Sequence, residues 1–255
     1  MQLPQEINDL IIDHFCKDKP TLSRCALVSR AWVDRSQAHL FNFVLLEGNS
    51  LRLWVDKFSP SDGRIHSFVK NLVLFPPSNS FGYFREHALA FKRLEALTIN
   101  GERIPRGFQL FPCTNWFSHL RDTLEYLQLE DVVFSPRIVA GFPRLGCLVV
   151  RYSALRRMDD TNEGDNTPAE ADPHATFKGI LEFSTLPNNS EITLLEAFLD
   201  YPLGYNDIRV GVTTYPGHSP GESINRLISR CSNTLEWLEI DFQDEKFCKS
   251  DSNQP

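Results

Sequence analysis

Apolar residues return along this chain with two different periods. Up to about residue 46 they follow helical spacing. Ile7, Leu10, Ile11, His14 and Phe15 line one face of a helix whose first turn suits Pro4, because the missing N–H has no intrahelical partner there. Asp18 stands ahead of Pro20 as the cap of a second helix, Thr21 to Val28. Its Leu22, Cys25 and Ala26 share one face, and Leu27 and Val28 fall on the other. A third helix is expected from about Arg30 to Leu40, with Trp32 near its start. Among Leu10, Ile11, Phe15 and Leu22, at least two are expected to form the core of this cluster. Three short helices with apolar residues on more than one face carry more apolar surface than they can bury among themselves.

Beyond this segment the pattern becomes Leu-x-x-Leu-x-Leu with conservative variants. It recurs as Leu40/Phe43/Leu45, Val69/Leu72/Leu74, Leu94/Leu97/Ile99, Leu124/Leu127/Leu129, Leu145/Leu148/Val150 and Leu235/Leu238/Ile240. The middle positions from Phe43 to Leu148 lie 21 to 30 residues apart, and weaker strands over 179–183 and 208–212 fill the gap to Leu238. Such periods with this strand pattern predict a leucine-rich-repeat-like solenoid, in which each strand buries alternate residues against its neighbours. Short helices are expected at 83–91 and 221–230. The Asn or Cys that ladders successive turns in regular repeats is replaced here by Pro77, Glu102, Val132, Ser153 and Gln243, which predicts an irregular array. The expected fold class is α/β (α+β): a helical domain over 1–46, a repeat region with a mainly parallel sheet over 47–242, and a polar tail over 243–255.

The N-terminal residues also carry a family resemblance. Leu3-Pro4-Gln5-Glu6-Ile7, then Cys25-Ala26-Leu27-Val28-Ser29-Arg30-Ala31-Trp32, then Leu40-Phe41 resemble an F-box of the version common in large fungal families. The match covers residue 3 to about residue 46. The resemblance implies a three-helix domain whose Leu3, Pro4, Ile7, Ile11, Leu27, Val28, Trp32 and Leu40 bind a Skp-type adaptor and, through it, a cullin. It implies the role of substrate receptor in a ubiquitin ligase, with a protein target held by the repeat region. The alternative is a repeat-type interaction scaffold whose helical cluster is only an N-terminal cap; a cap buries Leu3, Pro4, Leu27 and Trp32.

In a leucine-rich array the residues flanking the inward leucines point to the concave face. Phe75, Tyr126, Glu130, Arg151, Trp237, Glu239 and Asp241 are therefore the expected target-binding residues, with Tyr126 and Trp237 as main anchors. Their mixture of aromatics and carboxylates suits a basic, apolar motif.

The remaining chemistry narrows the picture. The formal net charge is −7, and no basic stripe offers phosphates a binding surface, so no nucleic acid is expected as partner. The start of the chain has neither the basic residues nor the apolar run of a signal peptide, and no apolar run reaches the ~20 residues that span a bilayer. An intracellular protein, cytoplasmic or nuclear and away from membranes, is expected. Six cysteines and seven histidines show no zinc-ligand spacing, so no metal or cofactor is expected. The acidic stretch 159–173 reads as a solvated loop; Gly164 and Ala171 stand where a calcium loop needs ligands. Gly217-His218-Ser219-Pro220-Gly221 has the form of a hydrolase elbow, the one enzymatic alternative. Pro220 lacks the N–H that an oxyanion hole needs and no His follows Ser219, so Ser219 reads as a turn residue and no catalytic residue is expected.

Overall fold

The computed structural model describes residues 4–59, 63–75, 90–101, 108–109, 118–134, 142–151, 153–155, 177–184, 198–199, 203–214 and 221–244. Three helices open the chain: α1 (Gln5–His14), α2 (Lys19–Val28) and α3 (Arg30–Phe41). Asp18 caps α2 as its position implies, accepting from the Thr21 amide at 3.1 Å and the Thr21 hydroxyl at 2.6 Å. Only Ser29, in extended backbone, separates α2 from α3, so the two helices meet at a tight corner. The small core of this unit contains Ile12, Leu22 and Cys25, with Asn8 and Ser36 also buried. This corrects the expected face of α1. Ile12 is fully buried, whereas Ile11 and Phe15 are half-buried and Leu10 is exposed. Of the four candidates, at least two of them expected in the core, only Leu22 is fully buried, because α1 rotates its Asn8–Ile12 edge toward α3.

After α3 the chain enters a sheet. Its eight strands are all parallel and run in chain order: β1 (Phe43–Glu47), β2 (Asn71–Phe75), β3 (Ala96–Asn100), β5 (Tyr126–Glu130), β7 (Cys147–Arg151), β9 (Phe177–Ser184), β10 (Leu203–Thr214) and β11 (Trp237–Asp244). A second parallel sheet is formed by β4 (Phe108–Gln109), β6 (Val132–Phe134) and β8 (Ala154–Leu155). The first strand begins at Phe43, inside the segment expected to be the helical domain, and the last ends at Asp244, just inside the expected polar tail. Helices α4 (Asn49–Lys57), α5 (Gly63–His66) and α6 (Gly221–Cys231) lie between strands. Among the described residues no helix is long and apolar enough to cross a membrane. Most of the expected helix over 83–91, the acidic stretch 159–173, Ser219 and most of the polar tail lie outside the described residues; Ala90 and Phe91 are described and are not helical.

The register is regular where the pattern is regular. Val44, Leu72, Leu97, Leu127, Leu148, Leu181, Ile208 and Leu238 form one row across all eight strands. Leu46, Leu74, Ile99, Leu129, Val150, Phe183, Val210 and Ile240 form the next. Burying a side chain of this kind contributes roughly 1.5–3 kcal/mol, and nearly all of both rows joins one continuous core. The first repeat is one residue out of the expected register. Val44 and Leu46 point inward, and Phe43 and Leu45 are left exposed on the opposite face. With a side-chain period of two, a one-residue shift reverses every side chain. Four consecutive apolar residues, 43–46, leave this choice to the packing.

The turns repeat too. The Asn42, Lys70, Glu95 and Glu125 carbonyls each accept two amides from the start of the next strand, at 2.8 to 3.1 Å. Ser153 performs the ladder role at its turn. Its buried hydroxyl accepts from the Val132 amide at 3.1 Å and reaches the Arg151 and Leu129 carbonyls at 2.8 and 3.2 Å. Entry into β9 depends on Gly179, at φ +81°, whose Cα faces the Gly146 carbonyl so closely that a Cβ would lie 1.9 Å from its oxygen. That carbonyl accepts the Ile180 amide at 2.8 Å.

Candidate functional site

Two surfaces stand apart from the core, one on the helical unit and one on the sheet. The helical unit is held as a rigid piece. Arg35 donates to both Asp13 oxygens at 2.6 Å, and the His39 ring lies 2.7 Å from the same carboxylate. These bonds hold the Asp13 carboxyl down at about 2, with the Arg35 hydrogen bonds as the main cause and His39 second. Gln5 Nε2 donates to the Ala31 carbonyl at 3.1 Å. The start of α1 thus meets the start of α3, and its end meets the end of α3. Because α3 begins one residue after α2 ends, the starts of α1 and α3 and the finish of α2 gather at one end of the unit. Phe41 links the unit to the sheet layer through edge contacts with Trp54 and Phe58, and Arg64 pairs with Asp34.

That common end is apolar and uncovered. Leu27 is 87% exposed, Val28 66%, Leu10 65% and Ile7 42%. Pro4 is exposed and Trp32 half-buried at this end, Ile11 is half-buried farther along α1, and Leu40 is half-buried at the opposite end of α3, apart from the others. Leu3 lies outside the described residues. Leu10, one of the four candidates for the core of the unit, is exposed in the middle of α1. The finding that could have marked it is the buried edge of α1 at Asn8 and Ile12, from which Leu10 points away. The flank between α1 and α3 is polar, a groove of about 410 Å³ lined by residues such as Asp9, Arg30 and Asp34.

The second surface is the face of the main sheet opposite its buried rows. One outward row contains Phe43, Asn71, Ala96, Tyr126, Cys147, Ile180, Asp207 and Trp237. The residues expected to bind a target share this face, though they are not equally available. Trp237 is 59% exposed, and Glu239 and Asp241 are exposed beside it. Tyr126 is half-buried; its hydroxyl donates to Gln128 Oε1 at 2.8 Å, and burial pushes its pKa up. Gln128 in turn reaches Glu130 at 3.4 Å. Phe75 is half-buried. Arg151 is occupied by Glu182, at 3.1 Å from Nε and 2.5 Å from the guanidinium nitrogen Nη2.

Several residues of this face went unread in the sequence. Glu182, Asp207 and Arg209 lie on strands whose pattern is too weak for a register. Phe43 and Leu45 were assigned inward. Arg209 binds Asp207 at 2.9 Å and stands 4.0 Å from Glu239. Among the described residues no three His, Cys, Asp or Glu side chains come together as metal ligands. Cys16, Cys25, Cys147 and Cys231 are free thiols, and burial raises the pKa of Cys147 and of Cys231. No protein-family model matches the chain, and no curated protein matches it.

Proposed function

We propose that this protein is the substrate-receptor subunit of a Skp–cullin–F-box ubiquitin ligase. In this reading the helical unit is the F-box that docks on the Skp-type adaptor. The sheet region is an irregular leucine-rich-repeat-like solenoid that presents a target protein. The subunit performs no covalent chemistry; it supplies proximity, converting an encounter between target and conjugating enzyme into a local event. The protein works inside the cell, in cytoplasm or nucleus, where ubiquitin ligases act.

The observation that carries the reading is the exposure of Leu27 and Val28 on a ten-residue helix. A cluster serving only as a cap has reason to bury them. A docking module has reason to leave them bare, since each recovers roughly 1.5–3 kcal/mol when covered. They stand where the F-box resemblance requires adaptor contacts, with Ile7 at the same end of the unit and Trp32 in the first turn of α3.

The test is binding of the full chain to a purified Skp-type adaptor by isothermal titration calorimetry. The parent protein binds. A Leu27→Ala, Val28→Ala, Trp32→Ala variant with an unchanged circular dichroism spectrum loses about 2 kcal/mol or more, over tenfold in affinity. A parent that does not bind, or a folded variant that binds equally well, removes the proposal.

A further inference from the structure

The outward face of the main sheet changes character from one edge to the other. At the β1–β2 edge it is mostly apolar: Phe43 and Leu45 are about half exposed and Val73 and Phe75 partly so, with Asn71 and Glu47 at the two ends of the strands. The middle strands present Ala96, Thr98 and Cys147 beside Tyr126, Gln128, Glu130 and Arg151, with Val149 covered by its neighbours. At the β9–β11 edge the outward positions hold four carboxylates, Glu182, Asp207, Glu239 and Asp241, against Arg209 and, at the start of β9, Lys178. Arg151 satisfies Glu182 and Arg209 satisfies Asp207. Glu239 has only the 4.0 Å approach of Arg209, and Asp241 has no cationic partner among the described residues. Trp237 stands exposed in the same strand, a ring face available to a cation.

We propose that the target engages this face through one extended segment laid across the strands, apolar over β1–β2 and basic over β10–β11. This rests on the reading of the sheet face as target receptor and specifies what it receives. Strands ~4.8 Å apart place the two edges of an eight-stranded sheet ~34 Å apart, which about ten extended residues span. The apolar end covers Phe43 and Leu45. The basic end supplies the charge that Glu239 and Asp241 lack, with a Lys or Arg against the Trp237 ring. Neither half of the segment suffices alone, because each edge of the face satisfies only one chemistry.

Random twelve-residue peptides displayed on phage and selected against the full-length chain read this specificity directly. The expected winners carry aliphatic or aromatic residues toward one end and Lys or Arg toward the other. A fluorescein-labelled consensus peptide, followed by anisotropy, binds at least tenfold more weakly to Leu45→Asp and to Glu239→Lys/Asp241→Lys, and its affinity falls with added salt. All the substituted side chains are exposed, and circular dichroism checks that both variants fold. Winners of another composition that still lose binding in either variant overturn the bipartite chemistry and leave the receptor face standing. Winners indifferent to both variants, or no winners, overturn the receptor face itself. Concentration-dependent dimerisation abolished by Leu45→Asp, read by sedimentation, assigns the face to a second copy and also overturns the proposal. Adaptor binding depends on Leu27 and Val28 and is measured separately, so its failure is distinct from all of these.

Discussion

Gly179→Ala should damage this protein far more than Gly146→Ala, although the two glycines face each other. Gly179 sits at φ +81°, and a Cβ there would lie 1.9 Å from the Gly146 carbonyl oxygen and 2.7 Å from its carbon. Both opposing atoms are backbone and cannot swing aside as a side chain would. Holding an L-residue in left-handed backbone costs roughly 1–2 kcal/mol. Relieving the clash pushes the Gly146 carbonyl off the Ile180 amide, now 2.8 Å away, and the lost hydrogen bond adds about 0.5–1.5 kcal/mol. The total is about 1.5–3.5 kcal/mol, a large share of the roughly 5–15 kcal/mol that holds a domain folded. At Gly146 the nearest atom to an added Cβ is the Glu125 carbonyl oxygen at 3.9 Å, ordinary contact. That substitution should be neutral within about 0.5 kcal/mol, or slightly stabilising through the unfolded chain. Urea unfolding followed by far-UV circular dichroism compares the midpoints. A loss below about 0.5 kcal/mol in Gly179→Ala, or equal losses in the two variants, would refute the argument that the β7–β9 junction depends on a glycine.

Ser153→Ala should cost about 1–3 kcal/mol, because it strands the Val132 amide in the core; amide exchange at Val132 should quicken at least tenfold, and unchanged exchange would contradict the ladder role. Asp13 gives a pH dependence with a definite sign. Its carboxyl titrates at about 2 in the folded protein against 3.8 as a model group, so its pairing stabilises the protein fully above about pH 4 and is lost as pH falls toward 2. With the Asp13 and Arg35 side chains a third or more exposed, solvent screening reduces this to about 1 kcal/mol. Asp13→Asn should therefore flatten the loss of stability between about pH 4 and pH 2, and an unaltered acid profile would count against it. Purified protein should hydrolyse no p-nitrophenyl ester in a manner that Ser219→Ala abolishes, and activity lost on that substitution would revive the hydrolase alternative.

Much of this architecture follows from short-range pattern alone. Asp18 capping α2, the corner at Ser29, and the inward rows from Leu72 through Val150 depend on neighbours within a few residues, and the sequence carries that information locally. The parallel strand order follows from the repeat, because each unit buries its leucines only against the unit beside it. The exposure of Leu27 and Val28 is legible as well, since Leu22 and Cys25 claim the opposite face of the same helix. Tertiary packing decided the rest. Phe43 to Leu46 are all apolar, so only the neighbouring strand β2 chose which pair turned inward and which became part of an outward face. Ile12 displaced the expected core residues of α1 because the Asp13–Arg35–His39 cluster and the Gln5–Ala31 bond set the rotation of that helix against α3. Ser153 became a ladder residue through contacts with Val132 and Leu129, more than twenty positions away. Glu239 and Asp241 are legible from the repeat as outward carboxylates, but only the side-by-side placing of β7, β9, β10 and β11 commits Arg151 to Glu182 and Arg209 to Asp207.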